Sequence, residues 1–163
     1  EPYVNHLLEV AELVAHADVP GDIEVVIAGL LHDTVEDVGV TEADLVAEFG
    51  PRVAELVLLV TDDKSLPKDR RKWLQIEHAP GLPRDAKLIK LADKTSNLRA
   101  LVRTPPAGWT TERLAYYVTW AAAVVEACGS VDAGLERAFW EAHAVAAQAY
   151  GVGRDEENDE RQP

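Results

Sequence analysis

Six consecutive residues, His32-Asp33-Thr34-Val35-Glu36-Asp37, place four ionisable side chains at the end of a stretch, Ile23 to Leu31, whose only polar side chain is Glu24. An adjacent His-Asp pair offers a metal ion one imidazole nitrogen and one carboxylate oxygen from a single support. Two ligands are too few for tight binding, so others must come from elsewhere in the chain. His6, in Tyr3-Val-Asn-His6, and Asp93, in Lys90-Leu-Ala-Asp-Lys-Thr-Ser-Asn97, are the candidates. Asn97 lies one turn beyond Asp93, with Lys90 and Lys94 beside it, and a carboxylate and an amide framed by cations suit a metal-bound phosphate. On one helix His32 and Glu36, and likewise Asp33 and Asp37, form neighbouring stripes on one side. Negative charge at a helix C-terminus opposes the macrodipole, and a bound cation would compensate it. Each residue alone has a plainer reading: a half-buried histidine for His6, a lysine salt bridge for Asp93, solvated acids for Glu36 and Asp37. It is the set, in this order, that points to a metal site.

Helices must position these groups. Apolar residues recur with a period of about 3.6, and alternating runs bounded by hairpin turns are absent, so the chain is read as an all-α bundle. The expected helices run from Tyr3 to Ala17, from an N-cap at Asp22 to Asp37, from Thr41 to Phe49 and from Val53 to Val60. Others follow from Pro67 to Ile76, Arg84 to Val102, Thr110 to Ala127 and Val131 to Tyr150, with breaks at Pro and Gly clusters. Being apolar all round, the Ile23 to Leu31 stretch is expected at the centre of the bundle. The long helix is expected to bury Leu88, Leu91, Ala92, Thr95, Leu98 and Val102.

A length of 163 residues, 47% of them apolar, fits one domain with a substantial core. Residues 1–150 are read as that domain, and 151–163 as an acidic, disordered tail. Sixteen Lys and Arg against 29 Asp and Glu leave a net charge of −13, which argues against a binder that neutralises nucleic-acid phosphates along a groove. No apolar run approaches the roughly 20 residues of a membrane span, and the start lacks a secretory signal. The single cysteine, Cys128, excludes an internal disulfide and makes the reducing cytoplasm the expected compartment. His16, His78 and His143 lack ligand-type neighbours, and Trp73, Trp109, Trp120 and Trp140 are read as core or interface.

With these motifs assembled, the sequence resembles the HD-domain phosphohydrolases, and more closely the small alarmone hydrolases of the RelA/SpoT family, metazoan SpoT-homologue type. The resemblance runs from Pro2 to about Tyr150 through Tyr3-Val-Asn-His6, Leu30-Leu-His-Asp-Thr-Val-Glu-Asp37, Phe49-Gly50, Val60-Thr-Asp-Asp-Lys64, Lys90-Leu-Ala-Asp-Lys-Thr-Ser-Asn-Leu-Arg99 and Gly108-Trp109. It implies Mn²⁺-dependent hydrolysis of the 3′-pyrophosphate of ppGpp and pppGpp. The family's metal ligands fall on His6, His32, Asp33 and Asp93, and its catalytic acidic pair on Glu36 and Asp37. By the same resemblance Asn97 would hold the ribose or base edge, Lys64 and Lys94 would meet phosphate charge, and Arg113 with Tyr117 would close the nucleotide pocket. Two alternatives stand beside it: removal of the 2′-phosphate of NADPH, and a regulatory module that binds a nucleotide without turnover. The family's basic pair ahead of the Tyr-x-x-His motif falls upstream of Glu1, so a trimmed start is expected.

Overall fold

The computed structural model describes residues 2–18 and 22–153. Among the described residues every regular element is helical: α1 (Tyr3–Ala15), α2 (Ile23–Leu31), α3 (Thr34–Val38), α4 (Glu42–Phe49), α5 (Pro51–Val60), α6 (Lys68–His78), α7 (Arg84–Arg103), α8 (Thr111–Cys128) and α9 (Ala133–Tyr150), with a 3₁₀ turn at Ala79–Gly81. Of the expected tail, residues 151–153 form a turn after α9 and 154–163 lie outside the described residues.

The helix starts follow local chemistry. Asp22 accepts from the N–H groups of Glu24 and Val25, Thr110 from that of Arg113 and Asp132 from that of Leu135. Thr41 and Asp44 form a reciprocal capping box, and Pro51 takes the first position of α5, where a missing N–H costs nothing.

Two expectations need correction. The helix expected from Asp22 to Asp37 is two helices, α2 and α3, with the break at His32-Asp33. Asp33 sits at φ −99° and ψ −1°, and the Thr34 hydroxyl donates to the Leu31 carbonyl at 2.7 Å, so side-chain bonding replaces the helical ladder there. Gly39, at φ 72°, then ends α3 by donating its N–H to the Thr34 carbonyl, a conformation glycine adopts without steric cost.

The second correction concerns the centre of the bundle. It is α7, not α2. Val25, Ala28 and Gly29 of α2 are buried, yet Ile23 is 70% exposed and Val26 and Ile27 are only partly covered. By contrast α7 packs against α1, α2, α5, α8 and α9 and buries Leu88, Ile89, Leu91, Ala92, Thr95, Ser96, Leu98 and Leu101, with Lys90 and Lys94 among them. Val102 is only partly buried, because Leu101 takes the inward position at that end. Polar residues are admitted to this helix because they face a cleft rather than bulk water. Where α1 crosses α2, Gly29 faces Val10 and Val14. This crossing of α1 and α2 sets His6 against His32.

Candidate active site

His6 comes from the first turn of α1, His32 and Asp33 from the α2–α3 break, and Asp93 from the middle of α7. Their ligand atoms converge. His6 Nε2 is 3.3 Å from His32 Nε2, 3.4 Å from Asp93 Oδ1 and 3.8 Å from Asp33 Oδ2. His32 Nε2 is 3.1 Å from Asp33 Oδ2 and 3.7 Å from Asp93 Oδ1. His6, His32 and Asp93 offer ligand atoms all within 4.8 Å of one another.

A second layer fixes the imidazoles. Ser96 donates its hydroxyl to Glu9 Oε2 at 2.8 Å, so its oxygen accepts from His6 Nδ1–H at 3.0 Å. His32 Nδ1–H donates to the Gly29 carbonyl at 2.8 Å. In the neutral rings both protons are thereby held on Nδ1, and both Nε2 lone pairs face the carboxylates. Arg99 and Arg103 pair with Glu9 and anchor the far end of this chain of bonds. Asp33 Oδ2 accepts from the Tyr3 hydroxyl, and Asp93 accepts from Asn97 Nδ2 at 2.6 Å and from Lys94 Nζ at 2.7 Å.

Four acceptors turned toward one another repel unless a cation lies among them. Burial works against charge on His32, but the hydrogen bonds and charges of Asp33 and Asp93 outweigh it and pull the imidazole up to about 10. A proton taken up there is what a divalent ion displaces. Burial likewise disfavours the Asp93 carboxylate, while Lys94 and the two histidines hold it well below its ordinary value. The donor set, two imidazole nitrogens and carboxylate oxygens, suits a divalent first-row metal.

These groups line a cavity of about 170 Å³ that also includes Glu36, Asp62, Gln75 and Lys90. It shares Val60, Asp62, Gln75 and Lys90 with a groove of about 640 Å³ between α5 and α6. Glu36 is raised above the usual carboxylate value by burial and by the charges of Asp62 and Asp33. Its Oε1 lies 3.5 Å from Arg71 Nη1, and its Oε2 accepts from the Asp62 N–H at 3.4 Å. Asp37 does not line the cavity. It is 46% exposed and paired with Lys64 Nζ at 2.8 Å, and Lys64 also donates to the Glu36 carbonyl at 2.6 Å.

The structure thus gathers His6, His32, Asp33, Glu36, Asp93, Lys94 and Asn97 around one cavity. It leaves Asp37 and Lys64 on the rim. Arg113 and Tyr117 do not line the cavity: the Arg113 guanidinium lies 4.1 Å over Trp109, Tyr117 sits between Trp109 and Trp120, and Lys94 Nζ, 4.7 Å over Trp120, joins this aromatic cluster to the site. Sequence reasoning passed over Tyr3, Glu9, Asp62, Arg71, Gln75 and Ser96 as site residues. Tyr3, Asp62 and Ser96 stood in quoted motifs that could have pointed to them, whereas Glu9, Arg71 and Gln75 did not. The other histidines stay apart: His16 bonds the Glu12 carbonyl of its own helix, His78 is exposed, and His143 packs on Trp140. Trp120 is buried, whereas Trp73 and Trp140 are 47% and 39% exposed and so are not core residues. Cys128 is buried.

The HD-domain family model matches residues 1–122. The chain belongs to the HD-domain family. It is 48% identical over 135 residues to a Danio rerio protein named guanosine-3′,5′-bis(diphosphate) 3′-pyrophosphohydrolase MESH1, covering 83% of this chain and 75% of that protein. The Homo sapiens protein of the same name is 48% identical over 138 residues, 85% of this chain and 77% of that one. A solved metazoan orthologue of SpoT, described as hydrolysing ppGpp, superposes with a TM-score of 0.84 at 46% identity, covering 88% of this chain and 81% of that structure. A Listeria monocytogenes structure superposes with a TM-score of 0.74 at 31% identity, covering 90% of this chain and 99% of that one. The expected all-α HD-domain protein of the SpoT-homologue type is therefore borne out. HD domains bind a divalent metal, and in this one His6, His32 and Asp93 form the group placed to do so.

Proposed function

We propose that this chain is a (p)ppGpp 3′-pyrophosphohydrolase, converting ppGpp or pppGpp to GDP or GTP plus pyrophosphate. The observation that carries this reading is the convergence of His6, His32, Asp33 and Asp93, with Glu36 on the wall of the same cavity, in a chain nearly half identical to proteins named for that reaction. We assign the metal as Mn²⁺, held by these four residues. When bound, it supplies Lewis acidity that lowers the pKa of a water and polarises a phosphoryl oxygen.

Glu36 is the general base. A water oxygen bonds to the phosphorus on the ribose 3′-oxygen, the bond between that phosphorus and the 3′-oxygen breaks, and the proton taken up by Glu36 balances the one gained by the departing 3′-hydroxyl. Its carboxyl, raised above the usual carboxylate value by burial, is a stronger base than an exposed glutamate and so suits a group that must accept and then release a proton. Asp37 acts through Lys64, holding that ammonium at the rim for phosphate charge. Asn97 and Lys94 keep Asp93 oriented from inside the cavity, where Asn97 also meets the ribose and Lys94 adds positive charge toward phosphate. Arg113 and Tyr117, beside Trp109, offer a flat surface for a nucleotide base.

A small nucleotide rather than nucleic acid fits the net charge of −13, since only the metal and local cations counter the overall field. No helix among the described residues is long and apolar enough to cross a membrane. The lone buried Cys128 fits a cytoplasmic setting. The test is incubation with ppGpp, pppGpp and NADPH, with and without Mn²⁺, and separation of products by anion exchange. Mn²⁺-dependent GDP or GTP plus pyrophosphate is expected. Phosphate from NADPH alone, or no product from any of the three, overturns the assignment.

A further inference from the structure

Lys90 stands out among the groups lining the cleft. It is only 6% exposed, and among the described residues its ammonium makes no hydrogen bond or ion pair. It lies on the wall shared by the acidic cavity and the larger groove. Asp62, the carboxylate on that shared wall, makes no ion pair with it; its Oδ2 accepts from Gln75 Nε2 at 2.8 Å. Asp63, farther along the groove, accepts from the Ser65 N–H at 2.9 Å. Arg71, on the same groove, has a second unmatched donor: its Nη1 faces Glu36 at 3.5 Å, while its buried Nε has no partner. Burial, reinforced by the charge of Lys94, pushes Lys90 down to about 8 against the pull of Asp93 and Asp62. A lysine so largely buried, its ammonium opening only to the cleft and left unpaired, is costly, and a fold tolerates it where an anion arrives to pair with it.

We infer that Lys90, with Arg71 on the same groove, forms a phosphate subsite that receives the diphosphate released from the acidic cavity. This rests on the reading that a diphosphate is the product, and it adds the route by which that product leaves. The rival role for Lys90 is balance of the cavity's carboxylates, which would act on the metal rather than on phosphate.

The test is calorimetric titration of Mn²⁺-loaded protein with inorganic phosphate, comparing wild type, Lys90→Met, Lys90→Arg and, as a remote charge control, Arg137→Gln on α9. Loss of one charge-assisted contact predicts phosphate affinity about tenfold weaker in Lys90→Met, with Lys90→Arg within about threefold of wild type and Arg137→Gln unchanged. Mn²⁺ affinity should hold in all variants, and Lys90→Met should melt no lower than wild type, because an unpaired charge on a largely buried side chain is gone. Phosphate affinity independent of residue 90, or Mn²⁺ affinity falling in parallel with it, overturns the proposal. Neither readout needs turnover. Protein that leaves ppGpp intact while its phosphate affinity follows Lys90 keeps the subsite and loses the substrate, whereas turnover with Lys90-independent phosphate binding does the reverse.

Discussion

The two ends of the cleft are unsatisfied in opposite senses. At the end formed by α1, α2 and α7, two imidazole nitrogens and two carboxylates face one another, and the missing partner is a cation. At the end formed by α5, α6 and the start of α7, the Lys90 ammonium and the Arg71 Nε have no acceptor while Gln75 Oε1 has no donor, and what the two cationic donors there lack is an anion. Folded proteins leave few buried polar groups unmatched, so the sign of a local deficit names the charge of the ligand expected there. Side by side, the two deficits fit the proposed substrate, a phosphate chain that would reach a metal at one end and ammonium and guanidinium groups at the other.

The largest effect expected breaks the cation-lacking end. Asp93→Asn should remove stoichiometric Mn²⁺, read by elemental analysis after dialysis, and lower turnover by about a thousandfold or more. It should also lower the melting temperature, because buried Lys94 loses its 2.7 Å partner. Full metal content in this variant would show that the four acceptors are not the ligand set.

Next is Glu36→Gln, which should keep the metal but cost about 10²- to 10⁴-fold in rate. The pH sign sharpens it: Glu36 works deprotonated and its pKa is raised, so wild-type activity falls as pH drops through that raised value. The variant's profile should lack that acidic limb. An unchanged limb would move the base elsewhere.

Ser96→Ala is the mildest of the three. It removes the bond that holds the His6 ring, and metal affinity should fall by about 10- to 100-fold while Glu36 chemistry at saturating metal stays nearly intact. A rate loss that saturating Mn²⁺ does not restore would place Ser96 in the chemistry rather than in support of it.

The helical class and most boundaries were legible because they depend on neighbours in sequence: Asp22 as a cap, Thr41 opening α4, and the Pro and Gly breaks around α6 and α7. The break at His32-Asp33 was not. No Gly or Pro marks it, and it depends on the Thr34 hydroxyl and on tertiary contacts to His6, Asp93 and Tyr3. That His6, His32, Asp33 and Asp93 belong together was legible from their identity and company, but their support was not, since Ser96 and Glu9 are neighbours only after α1 meets α7. The centre of the bundle was misplaced for a related reason. Apolar content marks a helix as buried, but α7 is buried with its charges turned toward a cleft, which no count of apolar residues reveals.

That helix also restricts how the protein can vary over time. Lys90, Asp93, Lys94, Ser96 and Asn97 all stand on α7, and each residue of an α-helix turns its successor by about 100°. A one-residue insertion or deletion between positions 90 and 97 would swing part of this set away from the rest in a single event. Lineages of this protein can therefore revise this stretch only letter by letter, and gains or losses of length must fall in the connecting segments, such as 61–67 and 104–110.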